Sequence, residues 1–304
     1  MCAMTSPAVL LPLDPLAVRR PRPDPHFLPE AEAVREAGGT WRLLDHDALL
    51  AGDAEAAVRL LPEGCGPLWY RGWMVGVASY HALAGALAAR GGTLQTSPAD
   101  YARAHELPGW YEVFAGATPA TRWLPGAGLP GRAALVGAAR LLGSGPAVVK
   151  DYVKSRKHEW HEACFVPELT DADALCRVVA RFVELQGDDL AGGVVLRRFE
   201  DFVQRSDGGG PAQAVEARVW WLDGEPVLVG PHPDVPGDVP APDLSAVRPL
   251  VSALGCRFVT TDVAQRAGDG EWRVVEVGDG QVSGLPRTAD PTALLTALLS
   301  APAR

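Results

Sequence analysis

All three lysines of the chain, Lys150, Lys154 and Lys157, fall in one segment, Val148-Val-Lys-Asp-Tyr-Val-Lys-Ser-Arg-Lys-His158, although the chain carries 25 arginines. Solvation does not explain that confinement, because arginine serves as well wherever a charge only solubilises a surface. A compact ammonium on a flexible stem differs from a guanidinium fork when it grips phosphates. Two arginine-bearing segments follow, Val194-Val-Leu-Arg-Arg-Phe-Glu200 and Glu216-Ala-Arg-Val-Trp-Trp-Leu-Asp-Gly224. The third group is acidic: Asp262 in Phe258-Val-Thr-Thr-Asp-Val-Ala264, and Glu276 and Asp279 in Trp272-Arg-Val-Val-Glu-Val-Gly-Asp-Gly280. Carboxylates in or beside apolar strands are costly unless paired or metal-bound, and converging hard oxygens suit magnesium on a triphosphate. Asp279, between two glycines, fits a turn as well as a metal site.

Periodicity predicts the elements that must position these groups. A strand over 147–150 leads into the lysine segment, and strands are expected over 193–199, 214–222 and 226–229, the last two joined by the hairpin signal Asp223-Gly224. Alternation on the 214–222 strand puts Glu216, Arg218 and Trp220 on one face, an arrangement that an exposed ion pair on an edge strand also explains. Two further strands, 257–265 and 271–277, carry the acids. Helices are expected over 31–37, 77–90, 101–106, 133–142, 171–185, 243–254 and 291–299, with short strands at 41–44, 68–73 and 93–96. Residues 48–60 are mixed, the proline-rich first 29 residues give a strand and an extended connection, and 231–242 is a loop. The Gly/Pro-rich stretch 126–131 is the candidate linker between domains.

Composition bounds the function. With 304 residues, 47% of them hydrophobic, the chain can bury the cores of two or three subdomains. A net charge of -9 without a basic stripe argues against nucleic acid as a partner. No apolar run approaches the length of about 18 residues that reads as a membrane span. The first apolar segment, Ala8 to Leu13, is broken by Pro12 and lacks a basic lead-in, so cytoplasmic residence is the expectation. Five scattered cysteines with no Cys-x-x-Cys indicate neither a disulfide framework nor a zinc site.

Together these segments resemble the ATP-grasp superfamily, and within it the clade named for two arginines and a lysine. The resemblance covers nearly the whole chain. It rests on Trp69-Tyr-Arg-Gly-Trp-Met74, Tyr80, Tyr101, His105-Glu-Leu-Pro108 and Thr118-Pro119 before Trp123, then on Val149-Lys-Asp-Tyr-Val-Lys-Ser155, Leu196-Arg-Arg-Phe199, Glu216-Ala-Arg218 and Val275-Glu-Val-Gly-Asp-Gly-Gln-Val282. It implies an α/β (α+β) protein. A Rossmann-like N-terminal pre-ATP-grasp substrate domain, residues 1–125, would precede a two-lobed ATP-grasp domain with antiparallel sheets, residues 126–304.

The implied activity is an ATP- and Mg2+-dependent ligase joining a carboxylate to an amine through an acyl-phosphate. Its substrates would be small molecules or peptides, and the chain would act as a monomer or homodimer. By the resemblance Lys150 and Lys154 contact the nucleotide phosphates and Arg198, Phe199 and Glu200 form the hinge near adenine. Arg218, with Lys154, is catalytic, and Asp262, Glu276 and Asp279 hold magnesium. Many superfamily members carry an asparagine two residues after the glutamate, where this chain has Gly278, and the usual glycine-rich phosphate loop is absent between Lys154 and Glu168. Arg71, among aromatics, suits a bidentate grip on a substrate carboxylate, or a structural place stacked on Trp69 or Trp73. His105, His158 and His161 read as packing or surface residues rather than general bases. Two other functions fit the same scaffold, a small-molecule kinase and a non-catalytic ATP-binding module. An NAD-dependent enzyme is disfavoured by the missing Gly-x-Gly-x-x-Gly turn.

Overall fold

The computed structural model describes residues 6–17, 19–205, 213–234, 237, 241–286 and 289–304. The chain forms two compact units, one of Met1–Ala104, Glu216–Asp262 and Val277–Arg304, the other of His105–Val215 and Val263–Glu276.

The first unit opens with β1 (Ala8–Pro12), whose five residues are all buried, as expected of a strand covered on both faces. Helix α1 (Leu28–Glu36) leads to β2 (Trp41–Leu44), and the short α2 (His46–Leu50) and α3 (Ala54–Ala57) lead to β3 (Gly66–Tyr70). Asp45 and Asp53 cap the two short helices by accepting from Ala48 N and Ala56 N, which explains how so mixed a segment becomes helical. The strand expected to reach Trp73 ends at Tyr70. There the chain folds back so closely that a Cβ on Gly72 would lie 2.4 Å from the Tyr70 hydroxyl. Helix α4 (Val77–Ala89) and β4 (Gly92–Leu94) complete a parallel sheet of order β2-β1-β3-β4. Helix α5 (Pro98–His105) follows.

In the second unit α6 (Leu107–Phe114) forms just beyond the helix expected over 101–106, in a stretch given no element from sequence. Pro108 sits in its first turn, where a missing N–H costs no helical bond. Strand β5 (Thr121–Pro125), α7 (Arg132–Leu142), β6 (Ala147–Lys150), β7 (Phe165–Val166), α8 (Ala172–Gln186) and β8 (Gly193–Arg198) come next. The strands form an antiparallel sheet of order β5-β8-β6-β7, with Lys150 opposite Val195 and Ala147 opposite Arg198. Leu135, Val149, Leu175, Val179, Phe182 and Leu196 lie in the core between this sheet and α7 and α8. The glycine-rich stretch 126–131 joins β5 to α7 inside this unit. Strands β9 (Gln204–Arg205) and β10 (Gln213–Ala214) pair as a short ribbon.

The chain then returns to the first unit with β11 (Glu216–Leu222) and β12 (Glu225–Pro231). Their turn has φ of 50° at Asp223 and 85° at Gly224, the two positive values a two-residue hairpin loop needs. Helix α9 (Arg248–Leu254) starts later than the expected residue 243, because Asp243 accepts from Ser245 N in a local turn and Pro249 sits in the first helical turn. Strands β13 (Phe258–Gln265) and β14 (Trp272–Asp279) form a sheet of order β12-β11-β13-β14, and α10 (Thr292–Ser300) closes the chain. Parts of the expected N-terminal connection and of the 231–242 loop, with Cys2, lie outside the described residues. Among the described residues Cys65, Cys164, Cys176 and Cys256 are free thiols, and no helix is long and apolar enough to cross a membrane.

Candidate functional site

Strand β6 ends on Lys150, which is 4% exposed and therefore needs a partner for its charge. It has one: Nζ lies 2.5 Å from Glu276 Oε2, on the second unit's part of β14. The turn that follows is pinned by Asp151, a residue the sequence reading passed over. Its Oδ1 accepts from Val153 N at 2.7 Å and Lys154 N at 2.5 Å, and its Oδ2 from Gln186 Nε2 at 2.7 Å. The turn leaves Lys154 exposed. Burial, then the nearby Lys154 and Lys150, drives the His105 imidazole down to about 4, so this ring is neutral and unsuited to act as a base near pH 7.

The end of β8 brings Arg197 to Glu200 into the same unit. Arg198 donates to the carbonyls of Ser144 and Leu142. Phe199 meets Phe165 edge-on at 5.4 Å and Trp160 at 6.0 Å. Glu200 is held by Arg273, through Nε and Nη2 at 3.1 Å each. The expected hinge residues are thus anchored side by side, Arg198 to the α7–β6 loop and Glu200 to β14.

In the first unit Arg218 and Asp262 form a fork-to-fork pair, Nε to Oδ1 at 2.7 Å and Nη2 to Oδ2 at 2.8 Å. Burial opposes the Arg218 charge, but Asp262 and Glu216 outweigh it and hold the guanidinium above its ordinary range. His232, which sequence reasoning missed, places Nε2 3.6 Å from Asp262 Oδ2. Glu216, His232 and Asp262 each offer one ligand atom within 4.8 Å of the others. His232 Nδ1 accepts from Asp234 N at 3.1 Å, which leaves Nε2 as the nitrogen that faces Asp262. Only a low-signal cue, a histidine at the end of a strand next to the arginine strand, could have flagged it.

Two of the expected site residues have other partners in the structure. The Arg71 fork, offered to a substrate carboxylate, belongs to Glu30, with Nε to Oε2 at 2.8 Å and Nη2 to Oε1 at 2.7 Å. Its Nη1 donates to the carbonyls of Gly280 and Ser283, and the side chain is 1% exposed. It is not stacked on a tryptophan either; Arg257 occupies the face of Trp69. Asp279, the third metal ligand expected, is fully buried in the first unit, with Oδ1 accepting from Gln281 N and Nε2. Burial pushes its carboxyl up to about 7, so a proton competes with any cation there, and its Oδ2 is a buried acceptor with no bond among the described residues.

Glu276 differs from Asp279 in its surroundings. Its side chain is 31% exposed, and Lys150 engages only Oε2 among the described residues, leaving a hard oxygen available. Asp262 keeps a second lone pair on each oxygen despite the Arg218 fork.

The second unit thus carries a strand lysine paired with a strand glutamate, and the first unit carries a parallel sheet. Residues 140–298, more than half of the chain, match the ATP-grasp domain of family 3 in the clade named for two arginines and a lysine, and the chain belongs to that family. The fold is correspondingly similar to solved structures. D-cycloserine synthetase DcsG aligns with a TM-score of 0.62 at 17% identity over 96% of this chain and 98% of that one. The ATP-grasp ligase PsnB, complexed with minimal precursor, Mg and ADP, gives 0.54 at 13% identity over 96% and 97%. D-alanine–D-alanine ligase from Bacillus anthracis, complexed with ATP, gives 0.54 at 15% over 96% and 94%. At these identities the likeness speaks for the fold. No curated protein matches the sequence significantly.

Proposed function

We propose that the chain is an ATP- and Mg2+-dependent ligase that joins a carboxylate to an amine through an acyl-phosphate, releasing ADP and phosphate. The observation that carries this reading is the 2.5 Å pair between Lys150, 4% exposed, and Glu276. A buried ammonium needs a resident anion in the free chain, and its three donors allow it to keep Glu276 while turning toward a phosphate. Lys154, exposed at the end of the Asp151-pinned turn, is the second phosphate contact. Arg198, Phe199 and Glu200 provide the hinge near adenine, and Asp262 and Glu276 are the magnesium ligands. Magnesium, when bound, spreads the charge that builds on the phosphoryl oxygens. Arg218, preorganised by its two bonds to Asp262, offers its remaining donors to the transferred phosphoryl group; a guanidinium already held in place needs no reorganisation as charge develops. Positioning and electrostatics of this kind account for most phosphoryl-transfer catalysis.

The names of the similar solved structures, an ATP-grasp ligase with a precursor peptide and a D-alanine–D-alanine ligase, support a ligase reading. The experiment incubates purified protein, ATP and Mg2+ with panels of carboxylic acids and amines, and identifies products by mass spectrometry. Amide, ADP and phosphate are expected, and Glu276→Ala should abolish turnover. AMP and pyrophosphate as products would end the acyl-phosphate reading, and a stable phosphorylated acceptor formed without an amine would replace it with a kinase.

A further inference from the structure

Arg197 is the anomaly of the second unit. It lies on β8 opposite Thr121 and Val148, is 7% exposed, and no carboxylate lies within ion-pair distance of it among the described residues. Its Nη1 is buried without a hydrogen-bond acceptor among the described residues. A buried guanidinium is costly even when paired, and one that leaves a donor unmade calls for a reason beyond packing. The nearest compensation is weak: the guanidinium carbon stands 5.8 Å from the Trp110 ring centre.

What Arg197 does hold is the backbone in front of Glu276. Nη2 donates to Val275 O at 2.5 Å, to Val274 O at 3.4 Å and to Thr118 Oγ1 at 2.7 Å, and that hydroxyl in turn donates to Val274 O at 2.7 Å. Two adjacent carbonyls of β14 are thus braced from one side by a guanidinium and a threonine, immediately before the carboxylate that meets Lys150. Burial lowers the Arg197 pKa, while the charge of Glu276 is the first of the opposing influences that raise it, so the two side chains feel each other without touching.

We infer that Arg197 is a positioning residue for Glu276: by fixing the carbonyls of Val274 and Val275 it sets the direction in which the Glu276 carboxylate is presented to Lys150 and to a divalent cation. This rests on the reading of Glu276 as a magnesium ligand. The guanidinium acts on Glu276 through the backbone, since its bonds go to two carbonyls and a hydroxyl. An outer residue that orients a ligand acts on metal affinity, which a residue serving only the core would not do separately from stability.

The test titrates Mn2+ into the full chain with ADP present, followed by electron paramagnetic resonance, beside urea unfolding of the same proteins. Wild type and Glu276→Ala come first; if wild type takes up no Mn2+, or Glu276→Ala binds it as tightly, the ligand reading has failed and the inference falls with it, visibly at this step. Given that control, Arg197→Met should weaken Mn2+ by about tenfold or more, the usual effect of removing an outer-shell partner, while the urea midpoint stays or rises because a buried charge is gone. Arg197→Lys, which keeps the charge and one donor, should recover part of the loss, and it decides the matter if the methionine variant does not fold. Thr118→Val should shift Mn2+ affinity in the same direction by a smaller factor. Mn2+ affinity within about threefold of wild type in the folded methionine or lysine variant overturns the inference, as does an affinity loss that only follows a falling urea midpoint.

Discussion

The buried carboxyl of Asp279 makes a prediction that can be worked through. Burial raises it from 3.8 to about 7, against two bonds from Gln281 to Oδ1 that favour the ionised form. A carboxyl raised on folding contributes stability that is fully present below its unfolded pKa and is lost as pH rises through the folded one. The window is therefore pH 4 to 7. Each unit corresponds to about 1.4 kcal/mol, and the part of the shift above pH 5 is about two units, so the folded chain should lose roughly 2–3 kcal/mol between pH 5 and pH 8 through this residue. Asp279→Asn keeps the Oδ1 acceptor for Gln281 and cannot ionise. Urea unfolding of both proteins at pH 5 and pH 8, followed by tryptophan fluorescence, measures the difference directly. The asparagine variant should gain on wild type by that amount on going from pH 5 to pH 8. A stability difference that is the same at both pH values would refute the assignment of a strongly raised carboxyl, and with it the physical reason for removing Asp279 from the metal ligands.

Lys150→Met should lower ATP-dependent turnover by about 100-fold or more, yet change stability by no more than about 1 kcal/mol, because the Glu276 it leaves behind is 31% exposed and can be hydrated; coupled ADP release and thermal unfolding report the two effects. Arg71→Met strands the buried Glu30 and should cost about 3–5 kcal/mol by urea unfolding, with much of the loss recovered in the double variant with Glu30→Met. A substrate-binding arginine would instead leave stability alone. Gly193→Ala places a Cβ 2.3 Å from Leu124 O at a φ of 153°, so the β5–β8 pairing should weaken by about 2–4 kcal/mol, seen as a lowered urea midpoint.

The sequence alone determined the features that arise within a few residues of each other. Alternating and continuous apolar runs located β2, β6, β8 and β13 to within a residue or two, Asp171 marked the start of α8, and Asp223-Gly224 specified its hairpin, because strand period, helix capping and turn chemistry are local. The confinement of the lysines to residues 150–157 pointed to Lys150 on the same grounds. Only the tertiary structure decided which charges are partners. Glu30 claims Arg71 across 41 residues, Asp262 takes the Arg218 fork across 44, and Glu276 meets Lys150 across 126. Burial of Asp279 depends on elements remote from it, and the bracing of β14 by Arg197 depends on a strand 77 residues away. The chain likewise passes from one unit to the other after residues 104, 215, 262 and 276, a division that depends on contacts remote in sequence. Local torsional preferences are written residue by residue, whereas desolvation and ion pairing exist only after distant segments have packed, and a carboxylate's role follows from that surrounding rather than from its own spacing.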